Sequence, residues 1–153
     1  MSDQFIDEVP ERKEFLAKYE IKDVRAVKNL KTHEVKARKI RANAGAYFDI
    51  KDMVVLNAHI TELPAGKIGK KHRHSNEAMI YILAGKGYSI LQKEGQPEER
   101  VDWAEGDMMG IPAMFWHQHY NTDPDRPARY LAIKNVPLME SMGLFVVEQA
   151  KES

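Results

Sequence analysis

Four of the six histidines in this chain stand in two H-x-H pairs, His72–His74 within "KKHRHSNEA" and His117–His119 within "FWHQHYN". Along a β-strand alternate side chains share a face, so each pair presents two imidazoles to one side. At a rise of ~3.3 Å per residue the two rings of a pair stand ~6.6 Å apart along the strand. From there both can lean onto one ion at the ~2.0–2.1 Å of a metal–nitrogen bond. A single pair of this kind is commonly no more than a polar stripe on an exposed strand. Two pairs among six histidines, the first preceded by a spaced glycine and the second by a spaced glycine and proline, favour a metal site: Gly66 stands six residues before His72, Gly106 six before Pro112, and His117 five after that proline.

The surrounding sequence reads as strands. "MVVLNAHITEL" (53–63) is rich in β-formers and ends at the turn "PAG", and "EAMIYILAGKGYSILQ" (77–92) reads as two strands joined at "AGKG". "GDMMGIP", "FWHQHYN", "ARYLAIKNVP" and "GLFVVEQA" follow at short spacing, separated by Gly, Pro, Asn and Asp. Before them, "VPERKEFLAKYE" (9–20) predicts a short helix, with Pro10 in the first turn and Phe15, Leu16 and Tyr19 on one side. The segment 24–41 is ambiguous between an irregular strand and a frayed helix. Many short, punctuated strands after one early helix predict an all-β barrel or sandwich. The expected division is an N-terminal helix and arm over 1–44 and a single domain over 45–153.

Composition narrows the chemistry. With no cysteine, thiolate ligands, cysteine nucleophiles and disulfides are all excluded, leaving His, Asp and Glu as metal ligands. The 23 basic and 23 acidic residues balance, so no charge excess draws the chain to nucleic acid or to a membrane surface. The N-terminus is acidic, unlike a secretory signal, and no run approaches the ~20 apolar residues of a membrane span. A cytoplasmic location is expected.

The two motifs resemble those of the cupin family. Gly66, His72, His74 and Gly85 fit the first motif; Gly106, Pro112, His117 and Asn121 fit the second, with Met114 where the pattern has an inner glycine. The resemblance spans 66–121 and implies a cupin double-stranded β-helix, or jelly-roll barrel. The family's metal-binding glutamate would fall at Ala78. Glu77 is one residue off, and a one-residue shift turns a strand side chain to the opposite face. Within the family, gentisate and salicylate 1,2-dioxygenases share both this alanine and the run P-x-x-x-W-H-x-H-x-N, and "HRHSNEA" and "PAMFWHQHYN" resemble them.

That resemblance implies a metal held by His72, His74 and His117, with Fe(II) the first choice and Zn, Mn or Ni the alternatives. It implies His119 as a base or hydrogen-bond donor to substrate; a fourth ligand or a buried structural imidazole are the other readings of this residue. Trp116, Met114, Ile80 and Ile82 are expected to line the substrate pocket, the two isoleucines because they share Ala78's strand face. Three neutral ligands leave both charges of a divalent ion uncompensated, which favours an anionic, chelating ligand. The resemblance then implies a dioxygenase that uses O2 to cleave a small anionic, oxygen-chelating substrate, a phenolic acid, catechol-like compound or diketone. A redox-neutral metal-dependent isomerase or lyase and a non-catalytic small-ligand binder are the alternatives. The dioxygenases carry a carboxylate-binding arginine where this chain has Ile80, so another cation, with Arg38, Arg41 and Arg129 as candidates, must serve if the substrate is an acid. A homodimer or higher homo-oligomer is expected, with segment 21–50 available as an exchanged strand; neither nucleic acid nor membrane is expected as a partner.

Overall fold

In a computed structural model of the chain, residues 4–152 are described. The elements in order are β1 (Phe5–Asp7), α1 (Val9–Tyr19), β2 (Ile21–Val24), β3 (Lys36–Arg38), a 3-10 turn (Lys39–Arg41), β4 (Asn43–Ile50), β5 (Asn57–Leu63), β6 (His72–His74) and β7 (Ala78–Ala84). They continue with β8 (Lys86–Gln92), β9 (Glu99–Ala104), β10 (Met108–Ile111), β11 (Trp116–Asn121), β12 (Ala128–Lys134), α2 (Val136–Ser141) and β13 (Val147–Ala150). Two sheets form, in the orders β1-β13-β6-β11-β8-β9 and β10-β7-β12-β5-β4-β2, with β3 added to β4. Every pairing is antiparallel except β2 with β4. Such neighbours, far apart in the chain, are those of a jelly-roll barrel.

The inner faces pack by strict alternation. From β7, Ala78, Ile80 and Ile82 point inward to meet Leu91, Trp103, Ile111 and Tyr130 in one core. A second apolar layer lies outside the barrel. Phe48, Ile60 and Leu83 are closed over by Ile21, Val24, Val27, Leu30 and Val35 of the N-terminal arm. Each fully buried side chain of this size contributes roughly 1.5–3 kcal/mol, so the arm is part of the fold. The segment that was ambiguous resolves both ways, Lys36–Arg38 as a strand and Lys39–Arg41 as a 3-10 turn. Within 21–50, strands β2, β3 and β4 pair inside their own chain.

Two local devices hold the site's strands. Asn121, buried at the end of β11, donates from Nδ2 to the carbonyls of Leu63, Pro64 and Arg126, and its side-chain oxygen accepts from Asp123 N–H. Gly85 sits at a turn with φ 89°, as a turn glycine should. Gly87, expected to be a turn residue too, lies inside β8: a Cβ there would come 1.9 Å from the Tyr120 carbonyl oxygen and 2.6 Å from the Trp103 ring. It is glycine because nothing larger fits. Among the described residues, no helix is long and apolar enough to cross a membrane.

Candidate metal centre

His72 and His117 are directly cross-strand neighbours in the antiparallel β6–β11 pair, and His74 is the next inward residue of β6. Alternation on two adjacent strands therefore delivers three imidazoles to one point. The ring centroids are 4.2 Å apart for His72–His117, 4.7 Å for His74–His117 and 5.8 Å for His72–His74. One ring nitrogen from each lies within 4.8 Å of the other two. Each Nδ1 is tied to a backbone carbonyl: His72 to Lys70 at 2.8 Å, His74 to Asn76 at 2.8 Å and His117 to Phe115 at 2.9 Å. A carbonyl only accepts, so each Nδ1 carries the hydrogen and each Nε2 keeps its lone pair for the cavity.

Burial keeps these rings neutral. It holds His72 and His74 well below the usual imidazole range, and it brings His117 down to about 4. Neutral imidazole is the ligating form. The donor set thus fits a divalent ion: three fixed nitrogen lone pairs converge, and no carboxylate joins them. Ala78 faces the cavity from β7, while Glu77 is exposed and turned away.

His119 lies beside the triad, 5.6 Å from His117 between ring centroids. Trp103 Nε1–H donates to Ser89 Oγ at 2.9 Å, and Ser89 Oγ meets His119 Nδ1 at 2.6 Å. The other nitrogen, Nε2, is buried and has no hydrogen-bond partner. Burial lowers the pKa of this ring to about 3. An oriented, neutral imidazole with one unsatisfied nitrogen is poised to exchange a hydrogen bond with a cavity ligand.

The cavity has a volume of about 60 Å³, and Ile80 is among its lining residues. Three expectations are corrected. Ile82 lies in the apolar core and does not line the cavity. Trp116 alternates to the outer face of β11, where the Arg73 guanidinium stacks 4.5 Å from its ring centre. Met114 is half exposed in the turn before β11 and does not line the cavity either. Of the candidate cations, Arg38 and Arg41 do line it, whereas Arg129 is engaged outside by Glu62 and by the carbonyls of Leu30 and His33.

Among the lining residues that escaped the sequence reading are His59 and Lys134. His59, which has no motif around it, stacks on Tyr47 at 4.8 Å and leaves Nδ1 unpartnered. Lys134 at the end of β12 looks in sequence like a lysine reaching for solvent. The period-two face it shares with Tyr130 and Ala132 was the available signal. Among the described residues no Asp or Glu lines the cavity, although Arg12, Arg38, Arg41 and Lys134 do.

The barrel and its histidine cluster define the chain as a member of the cupin superfamily: the sequence model of that family, described as "Cupin domain", matches residues 59–134. Within that class the chain is similar to named dioxygenases. It is 24% identical over 96 residues to 1-hydroxy-2-naphthoate 1,2-dioxygenase of Nocardioides sp. (strain KP7), covering 63% of this chain and 24% of that protein. It is 28% identical over 112 residues to acireductone dioxygenase 1 of Sorghum bicolor, covering 72% of this chain and 56% of that protein. Among solved structures, salicylate 1,2-dioxygenase from Pseudoaminobacter salicylatoxidans with gentisate superposes at a TM-score of 0.62. That match covers 72% of this chain and 30% of the other at 14% identity, a likeness of fold. The chain spans about a quarter to just over half of the length of these curated relatives.

Proposed function

We propose that this chain is a non-haem Fe(II)-dependent dioxygenase acting on a small, anionic, oxygen-chelating substrate of the phenolic acid, catechol-like or diketone kind. One observation carries the reading: three imidazoles with pinned tautomers converge in a cavity that contains cations and, among the described residues, no carboxylate. The curated relatives named above are dioxygenases, which supports the same class. His72, His74 and His117 hold the metal, and bound Fe(II) supplies the redox chemistry that a substrate and O2 require. Ile80 and Ala132 close one wall of the site and exclude water from it. His119, oriented through Ser89, exchanges a hydrogen bond at Nε2 with the bound substrate anion.

Oxygen uptake by anaerobically Fe(II)-loaded protein, over a panel of hydroxybenzoates, catechols and β-diketones, tests the proposal. Uptake with one class, lost in His72→Ala, is the expected result. Full iron binding with no uptake from any of them ends the dioxygenase reading. The all-nitrogen donor set suits Zn, Mn or Ni as well, so turnover without oxygen in protein loaded with one of these would establish a redox-neutral isomerase or lyase instead. We assign the homo-oligomer to the outer face of the second sheet, where Met79, Tyr81, Met108 and Ile133 form an exposed apolar surface across three strands. Sedimentation at working concentration distinguishes a dimer from a monomer.

A further inference from the structure

Lys134 is 6% exposed, lines the histidine cavity, and has no hydrogen-bond or ion-pair partner among the described residues. Its Nζ stands over the Tyr47 ring, 4.9 Å from the ring centre. The three guanidiniums on the same lining differ from it in this respect. Arg12 pairs with Glu140 at 2.9 Å, Arg41 with Glu8 at 2.6 Å, and Arg38 with Glu11 and, at 3.5 Å, with Glu8. Those carboxylates stand behind the arginines and do not line the cavity. Lys134 is therefore the one cavity cation, among the described residues, left without a counter-charge.

Its position accounts for this. In the β7–β12 pair Lys134 is directly opposite Ala78, and opposed side chains have Cβ atoms ~4.5–5.5 Å apart. A carboxylate at 78 could have paired with it; alanine cannot. A buried ammonium without a partner is costly, and the cavity offers none from the protein.

Building on the metal-site reading above, we propose that Lys134 is the specificity-determining residue that binds the carboxylate of an acidic substrate whose other oxygens chelate the metal. Burial and the neighbouring guanidiniums of Arg12, Arg38 and Arg41 lower the pKa of Lys134, and an anion placed among them opposes both effects.

Two probes isolate the carboxylate: pentane-2,4-dione, and 2,4-dioxopentanoate, which is the same diketone with one methyl replaced by a carboxylate. Calorimetric titration into Co(II)-loaded protein, with the cobalt spectrum reporting entry to the metal site, should show 2,4-dioxopentanoate binding roughly 10-fold or more tighter than the dione. Lys134→Met should abolish that preference while leaving cobalt uptake and dione affinity unchanged, and Lys134→Arg should retain it. A preference that survives Lys134→Met, or no preference in the wild type, would each overturn the proposal. If Lys134→Met does not fold, Lys134→Gln, which keeps a donor without the charge, carries the same comparison. If the wild type takes up no cobalt, the metal reading fails by itself. The titration is then read by NMR on metal-free protein, where carboxylate binding that depends on Lys134 supports the proposal and its absence refutes it.

Discussion

Met114 holds a position that the cupin pattern gives to glycine, and its backbone has φ 60°. In that left-handed region a side chain costs roughly 1–2 kcal/mol, while glycine's extra freedom in the unfolded chain returns roughly 0.5–1 kcal/mol of that. Met114→Gly is therefore expected to be neutral or to stabilise by up to about 1.5 kcal/mol in a denaturant melt. The buried imidazoles make a pH prediction. His59, His72, His74, His117 and His119 all have lowered pKa values, mainly through burial, so the folded chain stays neutral where the unfolded chain takes up protons. The sign follows: stability is full above the unfolded imidazole pKa of about 6.5 and is lost as pH falls below it, by up to roughly 1.4 kcal/mol per histidine per pH unit. The melting temperature of metal-free protein should be level above about pH 7 and fall between about pH 6.5 and 5, above the usual carboxylate range. His59→Phe should keep the stacking on Tyr47 and make that fall shallower.

At the level of strands, legibility tracked the local signal. The strands bearing the histidines, the two around "AGKG" and the helix at 9–19 announced themselves by alternation, turn residues and an N-terminal proline. Strand β9, "ERVDWA", passed unread because four of its six residues carry charge or are alanine, and only Trp103, with the half-buried Val101 beside it, packs on the core. Strand β4 was hidden by small residues, Ala44, Gly45 and Ala46, which need neighbours from β5 and the arm to show that they are buried. The metal triad was legible because two H-x-H pairs carry their own geometry, whereas Trp116 was misplaced because a family motif does not say which side of the strand a residue faces. Lys134 and His59 reach the cavity through cross-strand register, which no single segment records. Register also makes Gly87 irreplaceable. Gly87→Ala should push β8 from β11 or displace Trp103, lowering stability by more than the roughly 1 kcal/mol of an average substitution, visible as a loss of melting temperature and of Trp103 burial by fluorescence.

Across the whole molecule the charges cancel, yet they are sorted: cations face the cavity and carboxylates back them. Glu8 is the keystone of that arrangement. Fully buried between β1 and α1, it accepts from Arg41 and Arg38, and the Gln149 amide nitrogen reaches it at 3.0 Å. Glu8→Ala strands guanidinium charge in the interior and should cost roughly 3–5 kcal/mol, with ligand affinity altered as the arginines move; a chemical denaturation midpoint unchanged from wild type would contradict this role. The placement of β13 carries one more consequence. This strand, at 147–150, lies between β1 and β6, and β4 begins at residue 43, so both fall outside the 59–134 stretch that the family shares. A fragment trimmed to those family limits would expose the edge of the strand bearing His72 and His74. The recombinant unit worth expressing, and the protease-resistant core to look for, includes the flanks on both sides.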